Sequence, residues 1–231
     1  MAIRIDGKAL AAKVKARAAE GGRALSRRPG LAVILVGDDP ASRVYVTGKE
    51  KDCAECGFVS FEHKLPAETS QETLLELIGR LNRDDAVDGI LVQLPLPGHL
   101  DEEAVLNAID PEKDVDCFHP VNVGRLVIGS PVFLPCTPAG VMEMLKEYDI
   151  PVRGKQCVVL GRSNIVGKPM AMLLLQQDGT VITCHSRTPD LAKYTREADI
   201  LISAVGRVGL VSADTVKEGA VVIDVAMNRN A

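Results

Sequence analysis

The 231-residue chain has no tryptophan, and only three tyrosines and four phenylalanines. A core with so few rings must be aliphatic. No apolar run reaches the roughly 18 residues that a membrane-spanning helix requires. Basic charge is not in excess: 27 Lys and Arg stand against 31 Asp and Glu, for a net charge of −4 and a pI of about 5.6. Nothing there points to nucleic acid or to a membrane surface. The first residues, Met1-Ala-Ile-Arg-Ile-Asp, lack the apolar core of a signal peptide, so a cytoplasmic protein with reduced thiols is expected. None of the histidines or cysteines has convincing metal-ligand spacing. Cys53 and Cys56 form a C-x-x-C with no second pair, inside a helical pattern, and read as small packing residues rather than a redox or zinc motif. What is present is ordinary for a globular chain, 46% hydrophobic and 25% charged, enough for one large domain or two small ones.

The most informative stretch is Cys157–Met170. The apolar run Cys157–Leu160 stops at Gly161, a polar turn follows, and Gly167-Lys168-Pro169 leads into apolar Met170–Leu175. This reads as strand, glycine turn, helix. Unpaired N–H groups and the positive end of the helix dipole make such a turn a place for phosphate. The spacing is G-x5-G rather than the usual dinucleotide G-x-G-x-x-G, so an ordinary strand-to-helix turn stays open as the alternative.

Upstream, Asp6 caps a helix over about 7–20, which Gly21-Gly22 weakens. Leu31–Val36 is a continuous apolar run, as in a strand buried on both faces. The next helix, 41–55, puts Ser42, Tyr45 and Lys49 on one face, beyond a strand's carboxyl end, where open α/β sheets place ligands. A solvated lysine is the bland reading. A partly desolvated one loses pKa and can carry protons near neutrality. Residues 58–65 read as a strand, 73–81 as a helix, 89–94 as a strand and 102–109 as a short helix. Gln93 is the one polar residue in its apolar run. It is either structural or oriented toward a neighbour such as Lys49. The stretch Pro111–Asn122 has no period yet carries Asp114, Asp116 and His119. A carboxylate there can take two N–H donors from a heterocycle, or the loop is an Asp-rich turn bonding its own backbone. His119, beside Pro120, reads as structural.

Thr137 and Pro138 suggest the N-cap and first position of a helix over 139–148. Pro151–Lys155 reads as a linker. From Gln156 the pattern is β-α-β: strands at 157–160, 181–184, 199–205 and 220–225, with helices at 170–176 and 190–196. That is half of a doubly wound parallel sheet. An NAD site expects an acid at the end of the second strand. Here that strand ends in His185-Ser186-Arg187-Thr188, and Arg162 sits inside the glycine turn. Hydroxyls and guanidinium groups suit a 2′-phosphate, which favours NADP.

Taken together, Y-V-x-x-K (Tyr45–Lys49), V-Q-L-P-L-P (Val92–Pro97), P-E-K-D-V-D (Pro111–Asp116), F-H-P-x-N-x-G-R-L (Phe118–Leu126), P-C-T-P-x-G (Pro135–Gly140) and G-R-S-N-I-V-G-K-P (Gly161–Pro169) resemble the bifunctional methylenetetrahydrofolate dehydrogenase/methenyltetrahydrofolate cyclohydrolase family. The motifs occur in family order over nearly the whole chain. The resemblance implies an α/β protein of two domains with a cleft between them: an N-terminal three-layer α/β catalytic domain over 1–136, and a Rossmann-like NADP-binding domain with a parallel sheet over 137–231. It implies Lys49 for the cyclohydrolase step, Gln93 tuning that lysine, Tyr45 packed on folate and Asp116 paired with the pterin, with Ser42 and Thr137 also on the substrate. Gly161, Arg162, Ser163, Gly167, Ser186, Arg187 and the backbone near Met227 are implied to hold NADP. A homodimer and a folate substrate are implied as well.

Three departures from that pattern stand out. Cys117 replaces a Gly after D-V-D, which strains the loop if that position needs φ > 0. Ala226 replaces a Gly near the nicotinamide end. The sequence stops at Ala231, where the family continues through a strand, a Pro-Gly-Gly-Val-Gly-Pro-Met-Thr loop and a final helix. A form lacking that segment is expected to have a cleft short of one wall. The competing readings are therefore a weakly active NADP- or folate-binding form and a monofunctional NAD-dependent dehydrogenase.

Overall fold

The first strand, β1 (Gly30–Val36), is buried along nearly its whole length, and its alternation builds three layers. Ala32, Ile34 and Val36 point into one core, with Leu74, Leu77, Ile78 and Leu81 of α3 (Gln71–Asn82) and Val105 of α4 (Glu102–Ala108). Val33 and Leu35 point the other way, onto Val46 of α2 (Pro40–Cys56) and Leu91 of β3 (Gly89–Val92). The second strand, β2 (Val59–Leu65), pairs with β1 on its other side, so the parallel sheet has the order β2-β1-β3. The outermost helix, α1 (Gly7–Arg23), packs on α2. This is the expected three-layer arrangement, with an aliphatic core. The structure is a computed structural model and describes residues 2–227.

Side-chain caps start the helices where the sequence offers them. Asp6 accepts from Lys8 and Ala9 N–H, Asp39 from Ser42, Ser70 from Thr73 and Asp101 from Ala104. Gly21 and Gly22 do not end α1, which runs on to Arg23. Cys53 and Cys56 are buried on α2, and the Cys56 thiol donates to the Lys15 carbonyl at 3.6 Å.

The chain divides into two compact units, Met1–Asn122 and Val123–Ala231. This division falls earlier than the sequence-based boundary at 136/137. A helix that the sequence pattern did not reveal, α5 (Pro120–Val127), spans it. Pro120 takes its first position, and His119 Nδ1 accepts from Val121 N at 3.1 Å. Leu126 of α5 already belongs to the second unit, where it is buried and its carbonyl accepts from Gln176 Nε2.

In the second unit, β4 (Gln156–Leu160), β5 (Thr180–Cys184), β6 (Ile200–Ser203) and β7 (Val221–Asp224) form a parallel sheet of order β5-β4-β6-β7. α7 (Gly167–Gln176) packs on β4 and β5, and α6 (Cys136–Glu147) packs on α7. On the other face, Val158, Leu160, Cys184 and Leu201 form a core with Leu191 and Tyr194 of α8 (Leu191–Thr195). The start of α6 corrects the sequence reading. Pro135, not Thr137, is the N-cap residue, there is no side-chain cap bond, and Thr137 lies inside the first turn. Pro138 still fits, because the N–H groups of the first turn lack partners within the helix anyway. Among the described residues, no helix is long and apolar enough to cross a membrane.

Candidate functional site

In each unit the crossover direction reverses at one place, and open α/β sheets bind ligands at such switch points, beyond the carboxyl ends of the strands. In the first unit the switch lies between β1 and β3. Gln93 is the first residue past β3. Its backbone N–H donates to the Ile34 carbonyl at 2.9 Å, its side-chain Nε2 donates to the Leu94 carbonyl at 2.8 Å, and its Oε1 accepts from Lys49 Nζ at 3.1 Å. The Leu94 contact fixes which end of the amide faces the lysine. Lys49 reaches it from α2, the helix that leaves β1. Of the other stripe residues, Ser42 is 3% exposed and Tyr45 is 46% exposed. The stripe therefore runs from the core out to a ring that can meet a ligand.

The Asp-rich loop is tied to the same sheet end. Ile90 and Asp114 form a parallel bridge, with Ile90 N donating to the Lys113 carbonyl at 2.7 Å. The chain then runs parallel to β3, which carries Asp116 toward the strand end where Gln93 sits. Asp114 and Asp116 have different surroundings. Asp114 is 2% exposed, and its carboxylate accepts from the N–H groups of Phe118 and His119 and from Asn122 Nδ2, at 2.9–3.2 Å. Asn122 Nδ2 also donates to the Pro111 carbonyl at 2.8 Å. For Asp114, then, the loop is an Asp-rich turn bonding its own backbone. The clamp formed by Asp114 and Asn122 closes the loop around Asp116, a role the sequence reading did not give to either residue. The quoted F-H-P-x-N motif held the signal.

Cys117 has φ 58° and is 1% exposed. The position does require the left-handed region, and a non-glycine residue there costs about 1–3 kcal/mol. Burial, and then the charges of Asp114 and Asp116, push its thiol up to about 11. It stays a neutral thiol at physiological pH.

In the second unit the switch lies between β4 and β6. Gly161 ends β4 with φ 115°, and a Cβ there would lie 2.9 Å from the Ala204 carbonyl oxygen past β6. A Cβ on Gly167 would lie 2.3 Å from the Gly161 carbonyl oxygen and 2.8 Å from Arg162 N. Both glycines are required because backbone meets backbone. Ser163 Oγ accepts from Val166 N and Gly167 N, both at 3.2 Å, and closes the turn ahead of α7. Val166, the N-cap, contributes no side-chain bond. Arg162 is exposed.

A cavity of about 270 Å³ opens beside the Gly161 turn. Leu160, Leu191, Val205 and Leu210 give it apolar walls, and His185, Ser186, Thr188 and Arg207 give it polar ones. Of the candidates for a 2′-phosphate, Ser186 lines it. Arg187 holds the turn through its N–H, which donates to His185 Nδ1 at 3.2 Å, and Thr188 Oγ1 accepts from His185 N at 2.9 Å. Arg207 escaped the sequence reading, although it directly follows the glycine that ends the β6 segment. Met227 is exposed, and its carbonyl oxygen lies 2.9 Å from where a Gly206 Cβ would stand. Ala226 N donates to Asp224 Oδ1 at 3.0 Å. Thr137 is exposed on the first turn of α6, in the second unit.

A glycine turn held against the neighbouring strand end, with a half-apolar cavity beside it, defines a Rossmann-like nucleotide-binding unit. It follows a three-layer unit with a lysine–amide pair at its own switch point. Residues 5–116 match the family model "Tetrahydrofolate dehydrogenase/cyclohydrolase, catalytic domain" and residues 135–231 match "Tetrahydrofolate dehydrogenase/cyclohydrolase, NAD(P)-binding domain". The chain belongs to the tetrahydrofolate dehydrogenase/cyclohydrolase family. It is 60% identical over 228 residues to the Bifunctional protein FolD of Acetivibrio thermocellus, which covers 97% of this chain and 80% of that one. A crystal structure of bifunctional FolD from Campylobacter jejuni superposes with a TM-score of 0.96 at 52% identity, covering 98% of this chain and 82% of that chain. The Trypanosoma brucei dehydrogenase-cyclohydrolase, complexed with NADP cofactor and inhibitor, gives a TM-score of 0.94 at 45% identity, covering 98% of this chain and 80% of that chain.

Two outcomes follow from this geometry. Replacing Cys117 by Gly relieves left-handed strain of about 1 kcal/mol but empties a buried side-chain position and loosens the unfolded chain, at a comparable cost. Urea midpoints for Cys117→Gly should stay within about 1 kcal/mol of wild type. Cys117→Val should lose about 2–3 kcal/mol, because a β-branched residue is far less tolerated at positive φ; a valine variant as stable as wild type would show that the position is unstrained. Gly167→Ala should weaken calorimetric binding of a nicotinamide dinucleotide at least about tenfold, since its methyl group meets backbone that cannot rotate away. Gly21→Ala, with nothing within 4 Å of its Cβ, should leave that binding unchanged.

Proposed function

We infer that the chain oxidises 5,10-methylenetetrahydrofolate with NADP+ and then hydrolyses 5,10-methenyltetrahydrofolate to 10-formyltetrahydrofolate, as a bifunctional enzyme of one-carbon metabolism. The observation that carries the reading is the Lys49–Gln93 pair at a switch point, in a chain matched by both family domains. The residues of the second unit fit NADP: the Gly161 and Gly167 backbone leaves room for phosphate, and the adjoining cavity offers apolar walls for adenine and Ser186 for the ribose end. When bound, NADP+ supplies the hydride acceptor.

Loss of hydride from the methylene carbon leaves a cation shared by its two nitrogen neighbours. That step needs alignment rather than a strong base. Asp116 holds the pterin through paired N–H donors, and Tyr45 packs on the substrate beside Ser42, while Thr137 contributes from the first turn of α6. Hydrolysis needs more. Water adds to the methenyl carbon and loses a proton, and the ring nitrogen gains one as its C–N bond breaks. Lys49 carries that proton, held in place by Gln93 Oε1. Gly161, Ser163 and Gly167 hold the pyrophosphate, Arg162, Ser186 and Arg187 the 2′-phosphate side, and the backbone at Met227 the nicotinamide end. Residues 1–136 thus carry the folate chemistry and 137–231 the cofactor. The enzyme works in the cytoplasm, in keeping with six cysteines outside any disulfide. It is a homodimer through the nucleotide-binding unit, an arrangement supported by the family resemblance and testable by native mass spectrometry.

The test is the appearance of methenyltetrahydrofolate absorbance when protein, methylenetetrahydrofolate and NADP+ are mixed. Its absence with either nicotinamide cofactor would overturn the reading. Lys49→Met should lower the decay of added methenyltetrahydrofolate by about 10²-fold or more, the scale of a lost proton carrier. Hydride transfer should fall by about tenfold at most, as expected when only an orienting contact is lost. Equal loss of both activities would remove the proton-carrying role from Lys49.

A further inference from the structure

The segments that follow the three strands of the first unit meet at one end of its sheet. Gly37 follows β1, and its N–H donates to the Leu65 carbonyl at the end of β2 at 2.9 Å. A Cβ on Gly37 would lie 3.6 Å from Ala67, past β2, and 3.8 Å from Pro97, past β3. The third segment, 94–98, begins next to Gln93 and carries Pro95 and Pro97, which have no N–H to donate. Among the described residues, none of its N–H groups donates to another backbone group, and one turn bond, from Leu100 N to the Pro97 carbonyl at 3.0 Å, closes its far end. Its near end is part of the site: the Leu94 carbonyl accepts from Gln93 Nε2 at 2.8 Å, and Gln93 Oε1 accepts from Lys49. Where the Leu94 carbonyl points depends on how the segment is held at its far end.

The side chain that holds it there is His99. Its Nε2 lies 2.9 Å from the Thr69 carbonyl oxygen. A carbonyl only accepts, so Nε2 carries the proton and donates. Thr69 is a fixed anchor. It is 8% exposed, and both its N–H and its hydroxyl donate to the Pro66 carbonyl, at 3.1 and 2.7 Å. Beyond His99 the chain is already secured: Leu100 is buried, and Asp101 N donates to Gln71 Oε1 at 2.9 Å. The bond to Thr69 carries that order into a segment that has little of its own. We propose that His99 is a positioning residue for hydrolysis: by fastening segment 94–98 to the Thr69 carbonyl, it sets the Leu94 carbonyl and hence the Gln93 amide that holds Lys49. The proposal rests on the reading of Lys49 as the proton carrier of hydrolysis and adds to it a residue at the far end of the segment that Gln93 opens.

The experiment compares wild type, His99→Ala and His99→Gln in two assays: decay of added methenyltetrahydrofolate, and its formation from methylenetetrahydrofolate with NADP+. His99 is exposed, so both variants should fold, and circular dichroism checks this. His99→Ala should lower kcat for hydrolysis by about three- to tenfold, the scale of one lost hydrogen bond. KM for methenyltetrahydrofolate should stay within about twofold of wild type, because a contact that matters only in the transition state lowers kcat without weakening ground-state binding. Hydride transfer, which does not use the proton carrier, should also stay within about twofold. His99→Gln should recover most of the hydrolysis, since its amide N–H can reach the same carbonyl. Unchanged hydrolysis in His99→Ala would overturn the proposal. So would an equal loss of hydride transfer, which marks a bond that only supports the fold, or a His99→Gln no better than His99→Ala. Wild type that leaves methenyltetrahydrofolate to decay at its uncatalysed rate would overturn the reading of Lys49 together with the proposal. Wild type that hydrolyses it, with variants that do not follow this pattern, would overturn the proposal alone.

Discussion

Parallel strands whose crossovers leave in opposite directions open a crevice between their carboxyl ends, and both units place their chemistry there. In the first unit the crevice separates β1 from β3, and Lys49 and Gln93 come from the segments that follow those two strands. In the second it separates β4 from β6, and Gly161 and Ala204 follow those. One topological rule serves two kinds of site. In the first unit the strand ends bring together a lysine and an amide side chain. In the second, glycine at the end of β4 and at the start of α7 leaves backbone N–H groups open to a phosphate. The difference is visible at single atoms: a methyl group at Gly167 would lie 2.3 Å from a carbonyl oxygen, whereas just past β3 stands a side-chain amide that two hydrogen bonds hold in one orientation.

The loop after α4 shows how a strained position survives. Cys117 sits at φ 58° without being glycine, a cost of about 1–3 kcal/mol. The surroundings over-determine it. Asp114 accepts three hydrogen bonds from the next eight residues, Asn122 ties the loop back to Pro111, and the bridge to Ile90 fixes its start. Hydrogen bonds to a buried carboxylate are individually worth about 1.5–3 kcal/mol, so together they exceed the strain. The buried thiol fills the centre of the turn, which a glycine would leave empty. The neighbouring Asp116 is thereby presented on a loop whose backbone has little freedom, as a residue must be if it is to pair with two donors of a flat heterocycle.

Much of this was legible in the sequence because it follows from period and punctuation. The buried run Leu31–Val36, the apolar stripe of α3 and the capping residues Asp6 and Ser70 are local signals, and each element forms within a few residues of its expected place. The Ser42–Tyr45–Lys49 face and the polar Gln93 at the end of an apolar strand pointed to a pairing 44 residues apart in sequence, which the fold brings to 3.1 Å. The features that stayed hidden depend on tertiary context. Helix α5 is short and starts at a proline beside a histidine that reads as turn. Pro135 replaced Thr137 as the start of α6 because nothing in the sequence says which of several N-terminal residues turns first. The roles of Asp114 and Asn122 appear only when their partners are known, since a buried carboxylate and an exposed one look alike in sequence. Arg207 is the same case: whether an arginine after a strand lines a cavity or faces solvent is decided by the turn between Val205 and Leu210.

The two reactions ask for different things. Hydride loss produces a cation that its own nitrogens stabilise, so what matters is alignment, and a positioned pair of reactants can gain about 7–11 kcal/mol in that way. Opening the ring needs a proton moved between two heavy atoms, a smaller effect of about 10²–10⁴-fold that requires one group in one place. A single lysine held by a single amide, as Lys49 is by Gln93, is the kind of group the second demand calls for. The first demand falls on backbone geometry, on the glycine turn and the clamped loop. On the proposed roles, changes in backbone at Gly161, Gly167 or the Asp114 clamp would bear on hydride transfer through alignment, whereas a change at Lys49 would bear on hydrolysis through a lost proton carrier, so that different kinds of structure would carry the two activities.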